Sequence, residues 1–221
     1  NVNLEPETSN AFNVGAVLDT QPWTFVPPEF GRFTASFDFY TYEVDNAIDA
    51  ASGAIVLSQC YASPNGSLSS PFCRNINRDP NQGSQIVGLN LTSGNIASIY
   101  TSGIDFGFGY TYDLQNVGLP QAGVLSANFD GNYLLSYEDT PFEGAETNEL
   151  AGKALGGATG FAFTEIRWRL TTAWNIDKFT LAAFWSYFDS MENFNASEGD
   201  FDYIIGEITY LDMSASWVED N

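Results

Sequence analysis

The sequence predicts an all-β fold of long antiparallel strands, each with one apolar and one polar face. Three observations carry this: apolar residues alternate with polar or very small ones, the alternating segments are long, and their connections are short and long by turns. Alternation alone fits two architectures, a soluble sandwich whose apolar face meets a second sheet and a membrane barrel whose apolar face meets lipid. Segment length favours the barrel, because it lies closer to the ~9–11 residues of a tilted membrane strand plus overhang than to the ~5–6 of globular strands.

Along the chain, strands are expected at Phe12 to Leu18, Phe33 to Val44, Ile104 to Tyr112, Leu125 to Tyr137, Ile166 to Trp174, Phe179 to Tyr187 and Thr209 to Trp217, seven in all. In the third, Ile104, Phe106, Phe108, Tyr110 and Tyr112 oppose Asp105, Gly107, Gly109 and Thr111. The fourth sets Leu125, Ala127, Phe129, Gly131, Tyr133, Leu135 and Tyr137 against Ser126, Asn128, Asp130, Asn132 and Ser136. In the fifth, Ile166, Trp168, Leu170, Thr172 and Trp174 interleave with Glu165, Arg167, Arg169, Thr171 and Ala173, so that two arginines point away from the apolar face. The second segment changes phase, from Phe33, Ala35, Phe37 and Phe39 to Tyr40, Tyr42 and Val44, which marks either a bulge or an exit from the membrane.

Connections at Gln115 to Gln121 and Asn175 to Lys178 are short, whereas Asp45 to Ile99, Glu138 to Gly160 and Asp189 to Gly206 are long and polar. Bacterial outer-membrane barrels pair short periplasmic turns with long extracellular loops in this way. Tyr110, Tyr112, Trp174, Phe179 and Trp217 gather near the short-turn ends, as an interfacial aromatic girdle would.

Composition excludes several function classes. With 28 acidic against 7 basic residues and a net charge of -21, the 221-residue chain repels phosphate backbones, so no nucleic-acid partner is expected. It has no histidine, which removes Ser-His-Asp and Cys-His catalysis and His-ligated zinc. No catalytic residue, cofactor or metal ligand is therefore assigned, and the chain reads as no enzyme. The longest apolar runs, such as Ala54 to Leu57, fall far short of the ~20 residues of a membrane helix. The opening Asn1 to Pro6 lacks the basic start and apolar run of a signal peptide, so either a leader was removed or the chain is internal to a longer one.

Cys60 and Cys73 lie in a Ser/Asn/Pro/Gly-rich stretch, where an oxidising compartment would keep a loop disulfide closed; two free thiols are the alternative. Acidic loops carry Glu138, Asp139, Glu143, Glu146 and Glu149, then Asp189, Glu192, Glu198, Asp200 and Asp202. Calcium needs several oxygens converging at ~2.3–2.6 Å, and no EF-hand-like spacing enforces that here, so solvated loop charge is expected. Asp79-Pro80 with Gly83 reads as loop punctuation. Arg167 and Arg169, beside Glu165, read first as a charge-paired wall and second as contacts for an anionic substrate.

Three stretches carry a family resemblance: Asn3-Leu4-Glu5-Pro6-Glu7-Thr8-Ser9, then Phe37-Asp38-Phe39-Tyr40 with Asp45-Asn46-Ala47-Ile48, then Ser70-Pro71-Phe72-Cys73-Arg74-Asn75-Ile76-Asn77-Arg78-Asp79-Pro80 followed by Gly83, Ile86, Asn95 and Thr101-Ser102-Gly103-Ile104-Asp105. In order and spacing over residues 1–113 this resembles the barrel of TonB-dependent outer-membrane receptors, while residues 114–221 match in strand-and-turn layout. The resemblance implies that residues 1–221 are a partial barrel, about seven strands of ~22, with the plug domain and remaining strands absent. It implies location in the bacterial outer membrane with long loops extracellular, contact with lipid and lipopolysaccharide, coupling to TonB through the missing plug, and uptake of a scarce or bulky nutrient such as a siderophore or carbohydrate. On that reading Phe106, Phe108, Tyr110, Trp168 and Leu170 face lipid, and Asp105, Glu165, Arg167, Arg169 and Asp212 face the lumen. The competing reading is a soluble or surface-exposed β-sandwich that binds carbohydrate or protein.

Overall fold

Backbone pairing continues wherever consecutive residues stay extended, whether or not their side chains alternate, so strands outrun the periodicity that reveals them. The computed structural model describes residues 4–21, 27–50, 52–61, 70–91, 93–141, 145–156 and 160–219; Asn3 of the first motif and Glu143 of the first acidic loop lie outside them. In chain order the strands are β1 (Thr8–Asp19), β2 (Arg32–Ala50), β3 (Ile76–Asp79), β4 (Gln85–Leu89), β5 (Ser93–Asp113), β6 (Val124–Thr140), β7 (Asn148–Glu149), β8 (Lys153–Leu155), β9 (Phe161–Phe163), β10 (Ile166–Ile176), β11 (Phe179–Phe188), β12 (Met191–Asn193), β13 (Ile204–Ile205) and β14 (Ile208–Trp217). A short helix, α1 (Gly53–Tyr61), follows β2.

All seven expected strands are present and form one sheet in the order β1-β2-β5-β6-β10-β11-β14, with β7 added beside β6. Spatial order equals chain order, which makes the sheet an antiparallel meander. β2 and β5 run well into what the sequence presented as loop, to Ala50 and from Ser93. There like residues stand side by side, Asp45 with Asn46 and then Ala47 with Ile48, so the alternation fades while the ladder persists. The long polar connections also hold short strands: β3 pairs with β4 in the first, and β8, β12 and β13 of the other two join β9, just past Gly160, in a small sheet ordered β13-β12-β8-β9. Among the described residues no helix is long and apolar enough to cross a membrane, which says nothing about strands.

The chain divides into two units. The first comprises Asn1–Asn10, Glu43–Ile99 and Asp139–Asn148. Its core is Val56 and Cys60 of α1 against Ile76 of β3, with Leu57, Phe72, Cys73 and Leu89 packed around them. A disulfide joins Cys60 to Cys73, with Cα atoms 4.8 Å apart. Ser52 starts the helix: its carbonyl accepts from the Val56 amide at 2.9 Å and its hydroxyl from Ile55 at 3.3 Å. Asp79 caps the turn between β3 and β4 by accepting from the Asn81 amide at 2.8 Å, and Gly83 takes the left-handed conformation, φ 64°, that the turn needs. Asn95 links the family motifs in this unit. Its side chain accepts from the Glu5 amide at 2.8 Å and donates to the carbonyls of Glu5 at 2.7 Å and Asn46 at 2.8 Å.

The second unit comprises Ala11–Tyr42, Tyr100–Glu138 and Glu149–Asn221. A two-residue turn, Asp177-Lys178 with Asp177 at φ 48°, closes the β10–β11 hairpin, as the right-handed strand twist favours. Between β5 and β6 the Asp113 carboxylate accepts from the Gln115 amide at 3.0 Å. Gly123, φ 78°, lies so close to the Asn175 carbonyl that a β-carbon has no room. The phase change in β2 is not a bulge between its two halves. Phe37 packs edge-on to Phe108 on the apolar face, 5.5 Å between centroids, and the hydroxyl of Tyr40 accepts from Asn132 on the polar face. Ordinary alternation thus runs through Phe37 and Tyr40, and the signal changes because aromatic residues also occupy the polar face.

Candidate ligand-binding face of the sheet

Residues directly opposite across a ladder point to the same side, so register converts parity in one strand into a face of the whole sheet. Arg167 of β10 stands opposite Asn132 of β6 and Phe188 of β11, and Arg169 opposite Asp130 and Ser186. Asp212 of β14 stands opposite Phe184, on the same face as Arg169. The opposite face holds Trp168 beside Gly131 and Tyr187, and Leu170 beside Phe129 and Trp185.

That apolar face carries a nearly continuous aromatic row. Phe106 stacks on Phe129 at 6.0 Å, Phe129 meets Trp168 at 5.5 Å, and Trp168 stacks on Tyr187 at 5.4 Å. Phe106 and Phe108 both lie near Phe37, and the Phe106 ring covers Gly131, where any side chain would collide with it. Toward the short turns, Tyr110 donates its hydroxyl to the Phe30 carbonyl at 2.9 Å and Trp174 its indole N–H to Ala122 at 2.7 Å. Rings on the apolar face with polar tips tied to turn carbonyls are the arrangement an interfacial girdle requires. Trp185, Leu211 and Met213 are 47%, 64% and 79% exposed. A sandwich would bury such residues under a second sheet, so that alternative is not favoured.

The polar face centres on Asn132, which is buried. Its amide donates to Asp105 at 2.8 Å and to the Tyr40 hydroxyl at 3.1 Å. Two hollows of about 450 and 480 Å³ share Asp105, Asn132 and Arg167 in their walls. One extends toward Arg169, Ser186 and Phe188, the other toward Tyr40, Tyr42 and Phe163. Arg169 lies over the Phe184 ring, 4.9 Å from its centroid. Neither Arg167 nor Arg169 has a carboxylate within ion-pair distance among the described residues, so the expected charge-paired wall is not formed. Glu165 sits at a bend before β10, with its side chain against Gly152 in a hollow lined also by Asp189 and Glu192.

Parity places Asn132 on the polar face, but no sequence signal says which residues of β2 and β5 it meets. Tyr137, grouped by alternation with the apolar residues, instead stacks on Phe163 at 3.9 Å and lines the second hollow. Of the acidic loop residues, Glu149 does specific work: it accepts from the amides of Tyr137 and Ala151, each at 3.0 Å, and from the Ser136 hydroxyl at 2.7 Å. Burial pushes its carboxyl up, but these donors and nearby Lys153 outweigh burial and hold it below the ordinary 4.5. Among the described residues no three His, Cys, Asp or Glu side chains converge as a metal site would need.

A meander of long antiparallel strands, apolar and ring-rich on one side, polar on the other and banded with aromatics at its turns, is the wall of a membrane β-barrel. The family model for TonB dependent receptor-like β-barrels matches residues 1–220, and the chain belongs to that family of outer-membrane transport proteins. No curated protein matches it in sequence.

Proposed function

We propose that this chain forms part of the wall of an outer-membrane receptor that takes up a scarce or bulky nutrient, a siderophore, a carbohydrate or similar, with energy delivered through TonB. On this reading Phe106, Phe108, Tyr110, Trp168 and Leu170 contact lipid and lipopolysaccharide, and Asp105, Arg167, Arg169, Asp212 and Glu165 belong to the lumen side. The long connections face the cell exterior and the short turns the periplasm. One observation carries the reading: strand register segregates Arg167 and Arg169 from Trp168 and Leu170, and the apolar side is left uncovered. Lipid is the solvent for which such a face is suited.

Among the described residues β1 and β14 end the strand order, each with one neighbour in the sheet. An unpaired ladder edge is not tolerated in hydrocarbon, so on this reading further strands, toward ~22, pair with β1 and β14 and enclose a plug. The test is cellular. The full chain should fractionate with the outer membrane, and uptake of its substrate should stop when TonB is deleted or the proton gradient is collapsed. Recovery in the soluble fraction, or uptake indifferent to both treatments, would sink the proposal.

A further inference from the structure

The two hollows on the polar face form one groove, because Asp105, Asn132 and Arg167 line both. The charged residues of its walls balance, Asp105 and Asp130 against Arg167 and Arg169. A polyanion would meet two carboxylates on a chain of net charge -21, and a polycation would meet two guanidinium groups. Neither sign is selected. Both arginines lack hydrogen-bond and ion-pair partners among the described residues, and the second oxygen of Asp105 is left over by the Asn132 contact, so planar donors and acceptors remain for a ligand. Aromatic residues stand at both ends: Tyr40, Tyr42 and the Tyr137–Phe163 stack at one, Phe188 at the other. Each hollow lies within the ~300–1,000 Å³ of small-molecule sites.

We infer that this groove binds a neutral oligosaccharide, with Asp105, Asn132 and Arg167 hydrogen-bonding the hydroxyls of a central sugar and Tyr40, Phe163 and Phe188 covering the apolar ring faces of its neighbours. Paired planar polar groups match vicinal hydroxyls that both donate and accept, and flat rings shield the C–H face of a pyranose. The inference rests on the transport reading for the groove's place in the lumen, and it narrows that reading to one substrate class.

The full chain, purified in detergent, is titrated calorimetrically with maltohexaose, cellohexaose, mannohexaose and xylohexaose, with hexagalacturonate as the anionic probe and a ferric tricatecholate complex as the chelate probe. At least one neutral hexaose should bind saturably, and its affinity should change by less than about twofold between ~0.1 and ~1 M salt, over which the Debye length shrinks from ~10 to ~3 Å. Asn132→Ala should weaken that binding about tenfold or more, since it removes the Oδ1 that accepts from a sugar hydroxyl and leaves Asp105 and Tyr40 without the amide that holds them. Because Asn132 is buried, Phe163→Ala in the short strand β9 serves as a second variant, with a comparable loss expected. Binding of hexagalacturonate or the ferric complex alone overturns the inference. So does binding of a neutral hexaose untouched by both variants, or no saturable binding to any probe. Uptake of the same probes by cells with and without TonB separates the two readings. A neutral sugar that binds but is not taken up removes transport alone, whereas TonB-dependent uptake of the ferric complex alone removes the sugar assignment alone.

Discussion

At the scale of single residues, the two sides of the sheet make opposite demands. Phe108 lies among Phe37, Phe106 and Phe129 on the apolar face, so Phe108→Arg places a charge where lipid is proposed and should cost ~2–4 kcal/mol near the midplane. Reversible unfolding in lipid vesicles reads this directly, and a change near zero would put Phe108 in water. Glu149 makes a pH prediction. Its folded carboxyl lies below the ordinary 4.5, so the stability it contributes is fully present above that value and is lost as pH falls through the lower folded one. Amide exchange at Tyr137 and Ala151, corrected for the intrinsic rate, should therefore accelerate only in acid below about 4.5 and should lose that dependence in Glu149→Gln. Protection that is flat through that range would show that the carboxylate does not hold the loop.

At the scale of elements, two cross-links order the first unit. The Cys60–Cys73 disulfide ties α1 to the turn before β3, and closing a loop of this size contributes ~3 kcal/mol by restricting the unfolded chain. Cys60→Ser with Cys73→Ser should lower the unfolding free energy of this unit by that amount, while exchange protection in β10 and β11 stays unchanged. Equal losses in both places would mean that the staple supports the whole sheet. Asn95 does with a side chain what a ladder does with backbone, since it offers the Glu5 and Asn46 peptide groups one acceptor and two donated hydrogen bonds. Asn95→Ala should cost about 1 kcal/mol, seen as faster exchange of the Glu5 amide. An unchanged rate would mean that water substitutes fully.

At the scale of the whole molecule, the seven long strands of the described residues, in meander order, leave β1 and β14 as the two edges. With an odd number of alternating strands these two run in the same direction, so they cannot close an antiparallel barrel on each other. Photo-crosslinkers placed at Val14 of β1 and Met213 of β14 in membranes should capture polypeptide outside residues 1–221. A crosslink between the two positions would demonstrate a closed seven-stranded barrel and remove the case for further strands.

Elements that depend on period are legible in the chain alone. All seven long strands, the faces of Phe106, Phe108, Trp168, Leu170, Arg167 and Arg169, and the turn at Asp177-Lys178 follow from alternation and turn chemistry within a few residues of one another. Where side chains stop alternating, as in the extensions of β2 and β5 and in the short strands β8, β9, β12 and β13, backbone hydrogen bonds still form but leave no periodic trace. Tertiary structure alone decided what meets across strands: Asn132 with Asp105 and Tyr40, Tyr137 with Phe163, Glu149 with the amides of its own loop, and Asn95 with Glu5 and Asn46. It also separated Glu165 from the two arginines, which the spacing had set beside it. Parity within a strand is a local property of the chain, whereas these contacts depend on the register between strands far apart in sequence, which no single segment encodes.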